Sequence, residues 1–202
     1  MRSRRLHAFA LAEHNTLVEL EQAAAATDDP ARAAAYLRHA ADEARHARML
    51  ANRSRELAVQ AGLQPPPVVR ADSSALFDTL GEVRFLAFVA RGEGRAVQQF
   101  TGLAHALQHR DARTAAILRA LLPDEARHHE TAERLLSEVG GSEIAVARRR
   151  VAWGEVWTAW RRLTAAQARV MYAVVMAVLY PSLAPLALWT RWMRPSRAGF
   201  RR

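Results

Sequence analysis

The stretch Asp42-Glu43-Ala44-Arg45-His46 recurs letter for letter as Asp124-Glu125-Ala126-Arg127-His128. In each copy the Glu and the His stand three residues apart. On an α-helix that spacing sets both side chains on one face, where a carboxylate and an imidazole can grip a single ion. Such a pair suits iron, manganese or zinc. The chain has no cysteine, which excludes disulfides and thiolate ligands and leaves carboxylate and imidazole as the available donors.

Both copies lie in long helical stretches. Half of the residues are apolar, and only 9 glycines and 8 prolines interrupt the periodic segments, so an all-α chain is expected. The first segment runs over 6–26 and closes at Thr27-Asp28-Asp29-Pro30, with Pro30 suited to the first turn of the next helix. A second covers 31–61 and stops at Gly62, ahead of Pro65-Pro66-Pro67. The third begins at the capping residues Asp72 to Ser74 and reaches His109; the fourth, capped by Asp111, ends at Gly140-Gly141. Two short turns and one Pro-rich linker among four helices are the pattern of a four-helix bundle. Extended, the linker over 62–72 covers roughly 30 Å at about 3.1 Å per residue, enough for a crossover along a bundle, and a tight antiparallel return remains open.

A two-metal site between four helices also needs one carboxylate from each helix that lacks a Glu-x-x-His. Antiparallel geometry says where. Reflecting the middle of Glu43–His46 through the turn at Asp28 and Asp29 lands at Glu13, and reflecting Glu125–His128 through the turn at Arg110 lands at Glu93. The competing acids Glu19, Glu21 and Glu82 fall roughly 9, 12 and 16 Å off this level at about 1.5 Å per residue. Separations of 30 residues between Glu13 and Glu43 and of 32 between Glu93 and Glu125 make the halves near repeats. The candidate ligands, which are also the candidate catalytic residues, are thus Glu13, Glu43, His46, Glu93, Glu125 and His128.

On these residues, positions 6–140 resemble the ferritin-like superfamily, which includes rubrerythrins, ferritins and the di-iron oxygenases and desaturases. The resemblance implies a ferritin-like four-helix bundle over 1–141 holding two iron ions, with Mn/Fe and Mn/Mn as variants. It also implies Glu43 and Glu125 as bridging or chelating carboxylates, Glu13 and Glu93 as terminal ones, and a reaction with dioxygen or peroxide fed by an external electron donor. The acid-Glu-x-Arg-His string looks like the methane monooxygenase-like and acyl desaturase-like members. Asp42 and Asp124 can accept a hydrogen bond from a ligand histidine on the partner helix, with Arg45 and Arg127 pairing with them; plain surface ion pairs are the alternative. Gly92-Glu93-Gly94 and Gly102 weaken their helix by about 1 kcal/mol each relative to Ala, which fits either room or a bulge beside the metals or close helix packing. His14, His39, His105, His109 and His129 read as surface or satisfied core histidines.

The formal charge of +9 is unevenly spread: residues 142–202 contain 11 Arg against Glu143 and Glu155 alone. A helix capped by Ser142 carries Trp153, Val156, Trp157, Trp160 and Leu163 at helical spacing, flanked by Arg148 to Arg150, Arg161 and Arg162. Val170 to Thr190 follows, 21 residues without a formal charge between Arg169 and Arg191. That is near the roughly 20 residues that span a bilayer. With Tyr172, Tyr180 and Trp189 within it and Trp192 beside it, this C-terminal apolar, basic-flanked extension is expected to associate with a membrane as a single span or as a peripheral helix. Pro181 and Pro185 argue against a straight span, and a buried dimer interface or a fifth bundle helix, in a soluble cytoplasmic protein, is the alternative.

The basic start Met1 to Arg5 precedes an apolar run of only Leu6 to Ala12, so no cleaved leader is expected and the bundle is placed on the cytoplasmic side. Nucleic acid is a poor fit, because the tail's aromatics lie in apolar stripes, although tRNA hydroxylases share the fold. The function expected is therefore a di-iron oxidoreductase, a hydroxylase, oxygenase or desaturase acting on a lipophilic substrate such as a quinone, isoprenoid or acyl chain, much as ubiquinone-hydroxylating relatives do. Iron storage or ferroxidation, or rubrerythrin-like peroxide removal, is the alternative.

Overall fold

A computed structural model describes residues 2–67 and 75–192, and over them the chain is all-helical. The helices are α1 (Arg2–Ala26), α2 (Pro30–Gln60), the short α3 (Leu76–Leu80), α4 (Glu82–Leu107), α5 (Ala112–Gly140) and α6 (Ile144–Trp192). Asp29 caps α2 by accepting from the Ala31 and Arg32 amides at 2.8 and 3.2 Å, with Pro30 at the first helical position. The chain forms two compact units, Met1–Val151 and Ala152–Arg202. Their boundary falls past the expected 141, because Ile144, Ala147 and Val151 pack against an apolar cluster of the first unit.

In the first unit α1 pairs with α2, and α4 with α5, as two hairpins. Contacts near the helix ends give their directions. Arg32 and Tyr36, early in α2, donate to Glu82 at the start of α4 at 2.8 and 2.9 Å, so α2 and α4 run parallel. Arg53, late in α2, reaches Thr114 and Asp111 at the start of α5, so α2 and α5 run antiparallel. The end of α2 and the start of α4 therefore lie at opposite ends of the hairpins, as a crossover needs; residues 68–74 of the connection lie outside the described residues.

Three expectations change. The third segment is broken at Gly81, whose φ of 75° a side chain resists, so α3 is separate and α4 starts at Glu82; the capping residues proposed at Asp72 to Ser74 lie outside the described residues. Ser142 sits inside a 3₁₀ turn, Gly141–Glu143, and does not cap α6. Pro181 and Pro185 lie within α6 and do not end it.

Two apolar clusters fill the first unit. One gathers Leu20, Tyr36, Phe85, Leu86 and Leu136, and the other Leu6, Leu50, Phe100, Leu118 and Leu121. Between these clusters four helices place buried polar side chains: Glu13 from α1, His39, Glu43 and His46 from α2, Glu93 from α4, and Glu125 and His128 from α5. Over its described residues the second unit is the later part of α6, which alone cannot bury its apolar side chains, and Trp153, Trp157, Val170 and Tyr172 are exposed. The helix is long and apolar enough to cross a membrane; the same length and composition suit a buried core helix. The side chains of Arg162, Trp189 and Trp192 lie outside the described residues.

One end of the first unit is pinned by a buried ion pair. Arg53 is 5% exposed and donates to Asp111 at 2.7 Å, Thr114 at 2.8 Å and Glu56 at 2.9 Å. Asp111 also caps α5 by accepting from the Thr114 amide and hydroxyl. Burial pushes the Asp111 carboxyl up, but Thr114 and Arg53 outweigh it and hold the group below the ordinary carboxylate range. Replacing Asp111 by Ala removes one of the two carboxylates paired with a buried guanidinium and uncaps a helix, and is expected to cost about 2–4 kcal/mol in urea unfolding at neutral pH. Because the folded value is depressed, the contribution is present above about pH 3.9 and disappears as pH falls through the lower folded value. The two proteins should therefore converge in acid, and a cost under about 1 kcal/mol at pH 7 would contradict this role.

Candidate metal centre

The four helices bring all six sequence-selected residues to one level. Glu43, His46 and Glu125 are 0% exposed, and His128, Glu93 and Glu13 only 3, 6 and 8%. His46 Nδ1 lies 2.9 Å from Glu125 Oε1, and His128 Nδ1 lies 3.1 Å from Glu43 Oε1 and 4.0 Å from Glu93 Oε2. Glu13 shares a hydrogen bond with Glu43. Each histidine thus faces a carboxylate of the opposite hairpin. The excluded acids serve elsewhere: Glu19 accepts from the Leu76 amide at 2.7 Å, and Glu82 accepts from Arg32 and Tyr36.

The other imidazole nitrogens are occupied. His128 Nε2 meets Asp42 Oδ2 at 3.2 Å, and His46 Nε2 meets Asp124 Oδ2 at 3.4 Å. Arg45 and Arg127 each pair with both aspartates, closing a four-membered ring across α2 and α5. Burial would raise both aspartates, yet the arginines and histidines lower them. An ionised Asp fixes the proton on Nε2 and turns the Nδ1 lone pair inward.

What those lone pairs face decides whether a metal fits. Glu43 Oε2, both Glu125 oxygens and the Nδ1 atoms of His46 and His128 are buried without a well-aligned hydrogen bond, even though each Nδ1 lies within 3.1 Å of a carboxylate oxygen. Stranding one such group costs about 1–3 kcal/mol, and five in one place are inward-facing donors without an acceptor of their electrons. The donor atoms fall into two groups, His39, Glu43, Glu93 and His128, and Glu13, Glu43, His46 and Glu125, each within 4.8 Å and joined at Glu43. Buried His/Glu groups of this kind can hold metal ions, and mixed oxygen and nitrogen donors suit first-row divalent ions such as iron, manganese or zinc.

His39 is the buried, bonded core histidine that one of its two sequence readings allows, and it also belongs to the site. It is no bystander: 7% exposed, it places Nε2 3.1 Å from Glu43 and 3.4 Å from Glu93 and stacks on His128 with centroids 3.7 Å apart. The signal was present, since His39, Glu43 and His46 stand at i, i+4 and i+7 on one helix face. His14 and His129 are half-buried, and His105 and His109 are exposed. His129 also explains one glycine. Its Nδ1 donates to the Ala90 carbonyl at 2.8 Å, and a Cβ on Gly94 would come within 3.3 Å of its ring, so Gly94 serves close packing in an unbroken α4. Gly92 and Gly102 have open space instead.

Comparison with protein-family models, with curated proteins and with solved structures finds no match to this chain. The donor geometry therefore carries the functional reading.

Crowding the acids has a cost. Burial first, then the hydrogen bond and charges of neighbouring carboxylates, drives Glu13 well above its ordinary value, and burial with Glu43 and Glu125 raises Glu93 to about 8 against the pull of His39. For His39, burial pushes down, but hydrogen bonds to Glu43 and Glu93 prevail and raise it to about 9. A raised folded value means stability is present below the unfolded value, about 4.3 for Glu and 6.5 for His, and is lost as pH rises through the folded one. Glu43 is lowered, which acts only in acid. The metal-free protein should therefore lose melting temperature steadily from about pH 5 to pH 9 in chelator, and ferrous or manganous ion should reverse the loss at the alkaline end. A metal-free melting temperature that rises across this range would contradict the geometry.

Proposed function

We propose that the paired hairpins constitute a ferritin-like four-helix bundle, and that the protein is a di-iron carboxylate oxidoreductase using dioxygen or peroxide on a lipophilic substrate at a membrane. The observation that carries this reading is the pair of facing Glu-x-x-His units, joined at Glu43, whose inward lone pairs lack a well-aligned hydrogen bond. Glu13, Glu43, Glu93, Glu125, His46 and His128 would hold the metals. Two ferrous ions supply, when bound, electrons for the reduction of dioxygen or peroxide, and an external donor restores them.

The chain's own groups do the rest. Four carboxylates provide a negative charge matched to two divalent ions and able to redistribute as metal charge changes. Asp42 and Asp124, each held by Arg45 and Arg127, orient the imidazoles and keep the Nε2 proton in place. The Leu20–Leu136 and Leu6–Leu121 clusters on either side exclude water from the level between them. Exposed Trp153, Trp157, Tyr172 and Tyr180 on the long apolar α6 supply amphipathic anchors for a bilayer interface, which is why a lipid-soluble substrate is preferred over a water-soluble one.

Anaerobic loading followed by an oxygen pulse tests the reading. The wild-type protein should bind two ferrous ions per chain, consume oxygen and, with a membrane lipid extract and reductant, yield an oxidised organic product. Glu43→Ala should lose more than about 100-fold in oxygen consumption, since it removes a donor common to both groups. Uptake of many ferric ions per chain without an organic product would favour iron storage, and peroxide consumption without one would favour scavenging.

A further inference from the structure

The two halves are near repeats in sequence, and among the buried positions at which they differ one lies beside the ligands. Four residues before Glu43 stands His39; four before Glu125 stands Leu121. The helical offset from the glutamate is the same, so both side chains point to the same face of their helices as the ligands do. Leu121 is 0% exposed and belongs to an apolar cluster. His39 reaches into the polar level, with Nε2 3.1 Å from Glu43 Oε1 and 3.4 Å from Glu93 Oε1.

Those are the carboxylates that His128 Nδ1 faces, at 3.1 and 4.0 Å. Two imidazole nitrogens and two carboxylates therefore converge on one side, all within 4.8 Å, while the other side gathers one imidazole, His46, with Glu13, Glu125 and the shared Glu43. The stack of His39 on His128, with rings 28° apart, holds both nitrogens toward the same pair of acids.

We infer that His39 is a seventh metal ligand and that the two metal positions are chemically different: one with two nitrogen and two carboxylate donors, the other with one nitrogen and three carboxylates. This rests on the two-metal reading above and deepens it. Nitrogen donors raise affinity for the later first-row ions, whereas a carboxylate-rich position accepts manganese more readily. The shared Glu43 couples the positions, and the difference between them gives an order of filling: the nitrogen-rich position takes cobalt or iron first, and the oxygen-rich one fills second or takes manganese from a mixture.

Cobalt(II), which needs no oxygen chemistry, is the probe. Wild-type protein should bind two Co(II) per chain in two resolved steps by calorimetry and metal count, with three paramagnetically shifted imidazole N–H proton signals. His39→Leu, which copies the residue at the matching place in the other half, should weaken the first step at least about 100-fold, since even groups that merely orient ligands cost about 10–100-fold. It should also show two N–H signals and leave the second step within about threefold. His39→Gln keeps a hydrogen-bonding group beside Glu43 without an imidazole nitrogen, and should behave like His39→Leu. Glu13→Gln should weaken the other step and keep three signals. Full affinity in His39→Gln, or three signals in His39→Leu, would show that His39 only bonds the carboxylates and would overturn the assignment while leaving two metals in place. Binding of no cobalt by the wild type would overturn the two-metal reading itself. Should His39→Leu fail to fold, the affinity and N–H signals of His39→Gln decide between ligand and hydrogen-bonding partner.

Discussion

Everything in the first unit is arranged around four carboxylates buried at one level between two apolar layers. Glu13, Glu43, Glu93 and Glu125 are all under a tenth exposed, and like charges so close resist ionisation together. Burial and the neighbouring carboxylates push Glu13 and Glu93 up, while hydrogen bonds with Glu13, His128 and His39 hold Glu43 down. Such a layer is a poor way to stabilise a helical protein, since apolar residues of the same volume would serve better. It is an effective way to attract divalent cations, because each ion that enters relieves repulsion on several acids at once.

The ring of Asp42, Arg45, Asp124 and Arg127 belongs to the same logic at one remove. Its arginines are about half exposed and its aspartates less so, which makes it a weak contributor to stability. Its effect is directional. Holding both aspartates ionised fixes the Nε2 protons of His46 and His128, and the only free lone pairs of those rings then face the carboxylates. One pentapeptide used twice supplies the glutamate and the histidine as well as the aspartate and arginine that orient the facing copy, so its repetition has a mechanical reason.

Much of this was legible from spacing. A Glu and a His three apart must share a helix face, and reflection through short turns places Glu13 and Glu93 at their level because a helix advances by a fixed rise per residue. What escaped was what spacing does not encode. His39 shares the face of Glu43 and His46, but that spacing does not say that its ring also meets Glu93 and stacks on His128. The direction of the Pro-rich connection depended on whether Glu82 meets Arg32 or the far end of α2, a matter of tertiary contact. Gly81 interrupts the third segment through a positive φ that periodicity does not reveal. Pro181 and Pro185 read as breaks because each removes a backbone donor, yet a helix can lose single bonds and continue. Gly94 admitted two explanations until the His129 ring was seen against it.

The most direct measurement is a crystal structure of iron-loaded protein with anomalous scattering recorded at the iron edge. Two peaks at the level of Glu43, one toward His128 and Glu93 and the other toward His46 and Glu125, each within coordination distance of imidazole Nδ1, are the predicted result. A single peak on the protein surface, or none among these side chains at full occupancy of added iron, would contradict the account.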